Sequence, residues 1–195
     1  MIVGFGHEAR TGKDTAAQPL VDLGYKKVGF ADALKALAFA SNPLIRSGAT
    51  VNVQIGHGRL AHIVSQLGWE RAKDDVPEIR TYLQNLGVAC REVFNEDFWI
   101  DQWEQQVKKA NDTVVADVRF QNEFKAIRAI GRLPGIETVL IKIERPGYGA
   151  VAGSHVSELD LADAVWDHVV VNDGSIEQLH KKILAIVAPP VAKAA

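Results

Sequence analysis

Apolar positions along the chain come in two textures. Short, nearly unbroken apolar runs stand at Ile2-Val3-Gly4-Phe5-Gly6, Lys27-Val28-Gly29-Phe30, Thr113-Val114-Val115-Ala116-Asp117, Val139-Leu140-Ile141-Lys142-Ile143 and His168-Val169-Val170-Val171. Runs this short and this continuous are expected of strands covered on both faces. Between them the apolar residues fall three and four apart. Ala16, Ala17, Leu20 and Val21 set one such helix, which Gly24 stops. Further helices are expected over 31–38 (broken by Asn42-Pro43), 122–130 (stopped by Gly131), 157–165 and 176–188. Strands alternating with helices predict an α/β fold, a five-stranded parallel sheet with helices on both faces.

One stretch departs from this alternation. Residues 58–110 read as mostly helical: Leu60, Ile63, Val64 and Leu67 share a face, Pro77 opens a helix striped by Ile79, Tyr82, Leu83 and Leu86, and Gly87 ends it. Phe98, Ile100, Trp103 and Val107 continue the pattern. A segment this long exceeds a simple crossover and is expected to be an insert over the carboxyl edge of the sheet, where ligands bind. Residues 46–56 read as a loop or hairpin, and 145–156, punctuated by Pro146, Gly147, Gly149 and Gly153, as a glycine-hinged loop. The whole of 1–188 then forms one domain, with 189–195, beginning at Pro189-Pro190, expected to be a disordered tail.

Composition narrows the function classes more than the fold. A chain of 195 residues, 47% apolar, can bury a sizeable core. A net charge of −2 argues against a broad nucleic-acid or anionic-membrane surface, while leaving room for a local basic pocket. Cys90 is the only cysteine, so no internal disulfide forms; it reads as a small buried apolar residue and fits a reducing cytoplasm. No basic leader precedes the first strand, and no run approaches the roughly 20 apolar residues of a membrane helix. The six histidines lack metal-ligand spacing, and no hydrolytic elbow or triad is present.

The chemistry concentrates at the first strand. Gly6 is followed by Arg10-Thr11-Gly12-Lys13-Asp14-Thr15 and then by the first helical repeat. Strand, glycine-flanked loop, Gly-Lys and helix is the layout of a phosphate-binding loop (P-loop). Backbone N–H groups at a helix N-terminus point at phosphate oxygens, glycine admits their close approach, and the lysine adds a charge. The spacing is one residue longer than usual, with His7 to Thr11 between the glycines, and Asp14 stands where a Ser or Thr is usual. Asp14 or Thr15 could hold Mg²⁺, or Asp14 could be a helix-end charge; because an acid beside a triphosphate repels it unless a cation lies between, Asp14 is expected to contact Mg²⁺, directly or through a water, with Asp117 opposite. Asp117 closes an apolar strand in the manner of a second metal-holding acid, and Arg119 follows at once, able to reach a phosphate or, alternatively, to pair with Glu123. Arg145 opens the glycine-hinged loop, which reads either as a lid over a phosphoryl-transfer site or as a solvated loop. Arg71, Lys73, Arg80 and Arg91 on the helical insert are singly better read as a wet helix face, and Trp69, Trp99 and Tyr82, which could stack on a base, better as core.

These pieces together resemble the bacteriophage deoxynucleoside monophosphate kinases, within the wider nucleoside monophosphate kinase group. The likeness runs through Gly12-Lys13-Asp14-Thr15, Phe30-Ala31-Asp32 with Leu34-Lys35, Gly68-Trp69 with Lys73, and Arg80 with Leu83-Gln84-Asn85-Leu86-Gly87. It continues through Phe98-Trp99-Ile100-Asp101, Asp117-Val118-Arg119-Phe120 with Asn122-Glu123, and His155 with Ser157-Glu158. The resemblance implies a P-loop kinase core, a monophosphate-binding helical insert and a lid. It implies ATP-dependent, Mg²⁺-assisted phosphorylation of deoxynucleoside monophosphates. Lys13, Arg119 and Arg145 would then act on the moving phosphoryl group. Gly6 and Arg10 to Thr15 would hold ATP. Asp32, Lys35, Trp69, Lys73, Arg80 and Gln84 would line the acceptor side, and Asp14, Thr15 and Asp117 would serve the metal. Its partners would be small nucleotides, in a cytoplasm (the host's if phage-encoded), with a homodimer left open. Two other readings compete: a kinase of another small acceptor such as dephospho-coenzyme A, and a regulatory protein that binds nucleotide without turning it over.

Overall fold

A computed structural model describes residues 1–6, 10–46, 57–110, 112–148 and 160–187. Within them, two compact units divide the chain: residues 1–30 with 103–195, and residues 31–102.

The first unit is built on β1 (Ile2–Gly6), β2 (Lys26–Lys27), β5 (Thr113–Val118), β6 (Thr138–Glu144) and β7 (His168–Val171). They form one sheet in the order β2-β5-β1-β6-β7, with every pair parallel. All five expected strands are therefore present. β2 is shorter than the apolar run Lys27 to Phe30, because Val28 makes a single further ladder bond to Val114 O before the chain turns.

Alternation along the strands decides which helix covers which face. Val3, Phe5, Val114, Ala116, Ile141 and Ile143 pack with Ala16, Ala17 and Leu20 of α1 (Lys13–Asp22) and with Leu179, Ile183 and Val187 of α7 (Ile176–Val187). Gly4 points the other way; a Cβ there would lie 3.0 Å from Ile127 Cδ1 of α6 (Gln121–Ile130). The sheet thus carries helices on both faces. Residues 160–165, expected to continue a helix, are turn and irregular chain instead, latched to α6 by Gln121 N–H to Asp160 Oδ2 (2.6 Å) and Gln121 Nε2 to Asp160 O (2.9 Å). The remainder of the glycine-hinged loop, 149–156, and the tail 189–195 lie outside the described residues.

The second unit holds α2 (Ala31–Ser41), an antiparallel pair of β3 (Leu44–Arg46) and β4 (His57–Arg59), α3 (Leu60–Asp75), α4 (Pro77–Val93) and the start of α5 (Phe98–Val107). It begins 27 residues before the expected insert at 58, because Ala38 and Ile45 share a core with Leu60, Ile63, Ile79 and Leu83. Two glycines behave against local expectation. Gly87 does not end a helix: α4 runs through it to Val93. Gly68, inside the α3 pattern, breaks it with φ 73° and ψ 162°, a conformation nearly restricted to glycine.

Candidate active site

The loop between β1 and α1 leaves the centre of the sheet's carboxyl edge, with β5 and β6 on either side of β1. The chain order reverses around β1, which is where open α/β sheets hold ligands. Arg10 and Gly12 both take positive φ (62° and 98°). Left-handed residues of this kind curve the backbone so that successive N–H groups converge on an anion. Gly12 is the N-cap of α1, and Lys13 is the first helical residue, only 6% exposed. Lys13 thus sets a full positive charge beside the positive end of the helix dipole, where both favour an anion. Thr11 is fully buried, and Gly6 is closed in by the Trp166 ring and Val118 O, leaving no room for a Cβ.

Around this loop lie the other residues singled out in the first unit. Asp117 stands on β5 where the register slips: Gly4 pairs with Val115 and Gly6 with Val118, so β5 carries one extra residue. Such bulges re-aim a side chain at the rim of a sheet. The Asp117 carboxylate accepts the N–H of Phe30 at 3.0 Å, and a Cβ on Gly29 would lie 2.7 Å from its Oδ2. Asp14 is 80% exposed at its side chain and pairs with Lys27 Nζ at 2.7 Å. Thr15 is half-buried. Its carbonyl would ordinarily accept from the residue four places on, but that residue is Pro19, which has no N–H. His180 Nε2 lies 2.9 Å from this oxygen and donates in its place.

Arg119 is exposed just past β5. Its backbone N–H and that of Phe120 both donate to Glu123 Oε2, at 2.8 and 3.1 Å, and Glu123 is 4% exposed. The acid therefore caps the start of α6 and fixes the turn that carries Arg119; the bond it makes there is to the arginine's backbone. Arg145 is exposed after β6, its guanidinium 4.4 Å from the centre of the Tyr148 ring.

In the second unit, Asp32, Lys35 and Trp69 line one shallow pocket of about 470 Å³ together with Ala36, Phe39 and Ala40. Lys73 pairs with Glu70 at 2.8 Å and Arg80 with Asp74 at 2.9 Å, both on the surface. Gln84 is exposed on α4. Charge is thus already balanced around Lys73 and Arg80 by surface pairs, which are weak.

A model of the deoxynucleotide monophosphate kinase family matches residues 55–183. A protein of Acanthamoeba polyphaga mimivirus that carries the name deoxynucleotide monophosphate kinase is 30% identical over 96% of this chain and 96% of its own. The chain belongs to the deoxynucleotide monophosphate kinase family. Solved structures resemble it more loosely. A dephospho-CoA kinase from Campylobacter jejuni is 13% identical over 95% of this chain and 94% of its own, with a TM-score of 0.45. The APS kinase CysC of Mycobacterium tuberculosis, in complex with AMPPNP and APS, is 12% identical over 96% and 97%, with a TM-score of 0.42.

The oxygens that a family member could offer a divalent cation are hard donors of the type Mg²⁺ takes, and Mg²⁺ on a nucleotide needs only one or two from the protein. Thr15 and Asp117 fit that requirement. Asp14 fits it less well, since Lys27 holds its carboxylate on the surface. Two residues beside the loop carry no motif in the sequence: Asn172, whose side-chain amide donates to Thr11 O at 2.9 Å, and His180. The single local signal was Pro19, whose missing N–H requires some partner for Thr15 O.

Proposed function

We propose that the chain transfers the γ-phosphoryl group of ATP to a deoxynucleoside monophosphate. The observation that carries this reading is a buried Lys13 at the start of α1, directly after left-handed Gly12, in a member of this family. Backbone N–H groups from Arg10 to Thr15 hold the donor phosphates, and Lys13 meets the charge that develops on the moving group. Arg119 and Arg145 supply further cationic stabilisation. Asp32, Lys35 and Trp69, which share a pocket, take the nucleoside part of the acceptor, with Lys73, Arg80 and Gln84 on its phosphate. Mg²⁺ held by Thr15 and Asp117 would neutralise phosphate charge. No covalent intermediate is needed: positioning and electrostatics account for the reaction. Such an activity belongs in a cytoplasm, and the partners it calls for are nucleotides.

The test is a coupled assay with ATP, Mg²⁺ and each deoxynucleoside monophosphate in turn. At least one acceptor should be turned over, and Lys13→Met, which keeps the side chain's bulk, should lower kcat by about 10²-fold or more. Binding of ATP with slow hydrolysis and no transfer would favour a regulatory role; full turnover by the folded variant would remove Lys13 from the chemistry.

A further inference from the structure

The segment after β7 lies against the phosphate loop, 161 residues away in sequence. Asn172 Nδ2 donates to Thr11 O at 2.9 Å. The same amide nitrogen would stand 2.6 Å from a Cβ placed on Gly12, so it is seated against the one residue there that has none. The bond constrains more than a carbonyl. The Thr11–Gly12 peptide is trans and planar, so its C=O and the N–H of Gly12 point in opposite directions. Holding the oxygen toward Asn172 turns the Gly12 N–H the other way. Gly12 at φ 98° is free to adopt either orientation of that peptide, as glycine is. Something outside the loop must therefore choose.

Asn172 is built to choose. Its own N–H donates to Glu144 O at 2.7 Å, which ties it to the end of β6. Lys182 Nζ donates to Val171 O at 2.7 Å and to Asp173 Oδ1 at 2.9 Å, bracketing it on both sides. The Lys182 hydrogen bond and charge hold the Asp173 carboxyl below its ordinary range, so this bracket is ionised at neutral pH. Ser175 and Gln178 cap α7 reciprocally, Ser175 N–H to Gln178 Oε1 at 2.9 Å and Gln178 N–H to Ser175 Oγ at 3.3 Å. One turn further on, His180 takes Thr15 O. The C-terminal β7–α7 unit thus holds two carbonyls on either side of Lys13, those of Thr11 and Thr15.

We propose that Asn172 is a positioning residue for the phosphate loop, presetting the Thr11–Gly12 peptide so that the Gly12 N–H is presented to a bound phosphate. This rests on the phosphate-loop reading of residues 6–15. The test compares Asn172→Ala with the isosteric Asn172→Asp, in the full chain, by calorimetric binding of ATP and of inorganic tripolyphosphate, alongside urea unfolding. Alanine removes the donor. Aspartate keeps the shape but sets an acceptor against Thr11 O. Loss of one charge-assisted N–H contact to phosphate should weaken both probes roughly tenfold in the alanine variant and more in the aspartate variant. The urea midpoints should follow a different order, and the KM for the monophosphate should stay at the parent's value. A side chain that merely fills space would reverse the binding order, with aspartate close to the parent. Equal binding by all three overturns the proposal alone. A parent that binds neither ATP nor tripolyphosphate overturns the phosphate-loop reading itself, and this proposal with it.

Discussion

At the residue scale, two adjacent oxygen-bearing side chains follow Lys13, and the sequence reading puts Asp14 ahead of Thr15 for Mg²⁺. Asp14 and Thr15 are adjacent, both in the first turn of α1, and both are oxygen donors. The difference comes from a partner that no motif encodes: Lys27, at the end of β2, lies 2.7 Å from the Asp14 carboxylate. A surface pair of this kind contributes little to stability, about 0–1 kcal/mol, yet it gives Asp14 an occupation other than metal binding. Thr15 has its carbonyl fixed by His180 and is held half-buried beside the loop. Replacing Thr15 with valine keeps the shape and removes the hydroxyl. The Mg²⁺ concentration for half-maximal rate should therefore rise more in Thr15→Val than in Asp14→Asn. A larger rise in the aspartate variant would mean that Asp14 leaves Lys27 to serve the cation.

At the element scale, two glycines in the helical unit show where local sequence is ambiguous. Gly87 follows a striped helix and reads as a stop, yet α4 continues through it, because the apolar pattern resumes and Cys90 is buried beyond it. Its carbonyl also accepts the Trp99 indole N–H at 2.9 Å. Gly68 follows the apolar face Leu60 to Leu67 directly, and it carries the kink that separates that face from Trp69 and Lys73. Backbone angle decides what each would cost to replace. A Cβ on Gly87 would meet Leu34 Cδ2 at 3.5 Å, an ordinary contact, so Gly87→Ala should stabilise by about 0.5–1 kcal/mol through the unfolded chain's lost freedom. Nothing lies within 4 Å of a Cβ on Gly68, but its φ and ψ suit glycine alone, so Gly68→Ala should destabilise by about 1–3 kcal/mol. Urea unfolding of the two variants should move the midpoint in opposite directions. A shift in the same direction would mean that one of the two backbone conformations is misassigned.

At the scale of the whole molecule, the sheet was legible because buried parallel strands write themselves as apolar runs: His168 to Val171 is read to the residue, and the three central strands to within one. The phosphate loop was legible because backbone binding of an anion demands glycines at particular places. The long-range ties were not, since Asn172 to Thr11, Phe30 to Asp117 and Arg128 to Asp167 join positions whose neighbours in sequence carry no trace of the partner. The last of these contributes to how the fold responds to acid. Asp167 precedes β7, and its carboxylate accepts from Leu140 N–H of β6 at 2.7 Å and from Arg128 Nη1 of α6 at 2.8 Å. Burial alone would raise its pKa. The Arg128 and Leu140 hydrogen bonds, with the charges of Arg128 and His168, outweigh burial and hold it below the usual 3.8. A depressed carboxyl contributes stability that is present above its unfolded pKa and lost as the pH falls through the folded value. Unfolding free energy should therefore fall as the pH drops below about 4, as this and other paired carboxylates take up protons. Asp167→Asn keeps the shape without the charge. It should be less stable than the parent at pH 7 and should lose less on acidification, so that the two curves converge at low pH. Parallel curves would show that Asp167 is equally paired in the unfolded chain, and that the tie between α6, β6 and β7 is made by the backbone alone.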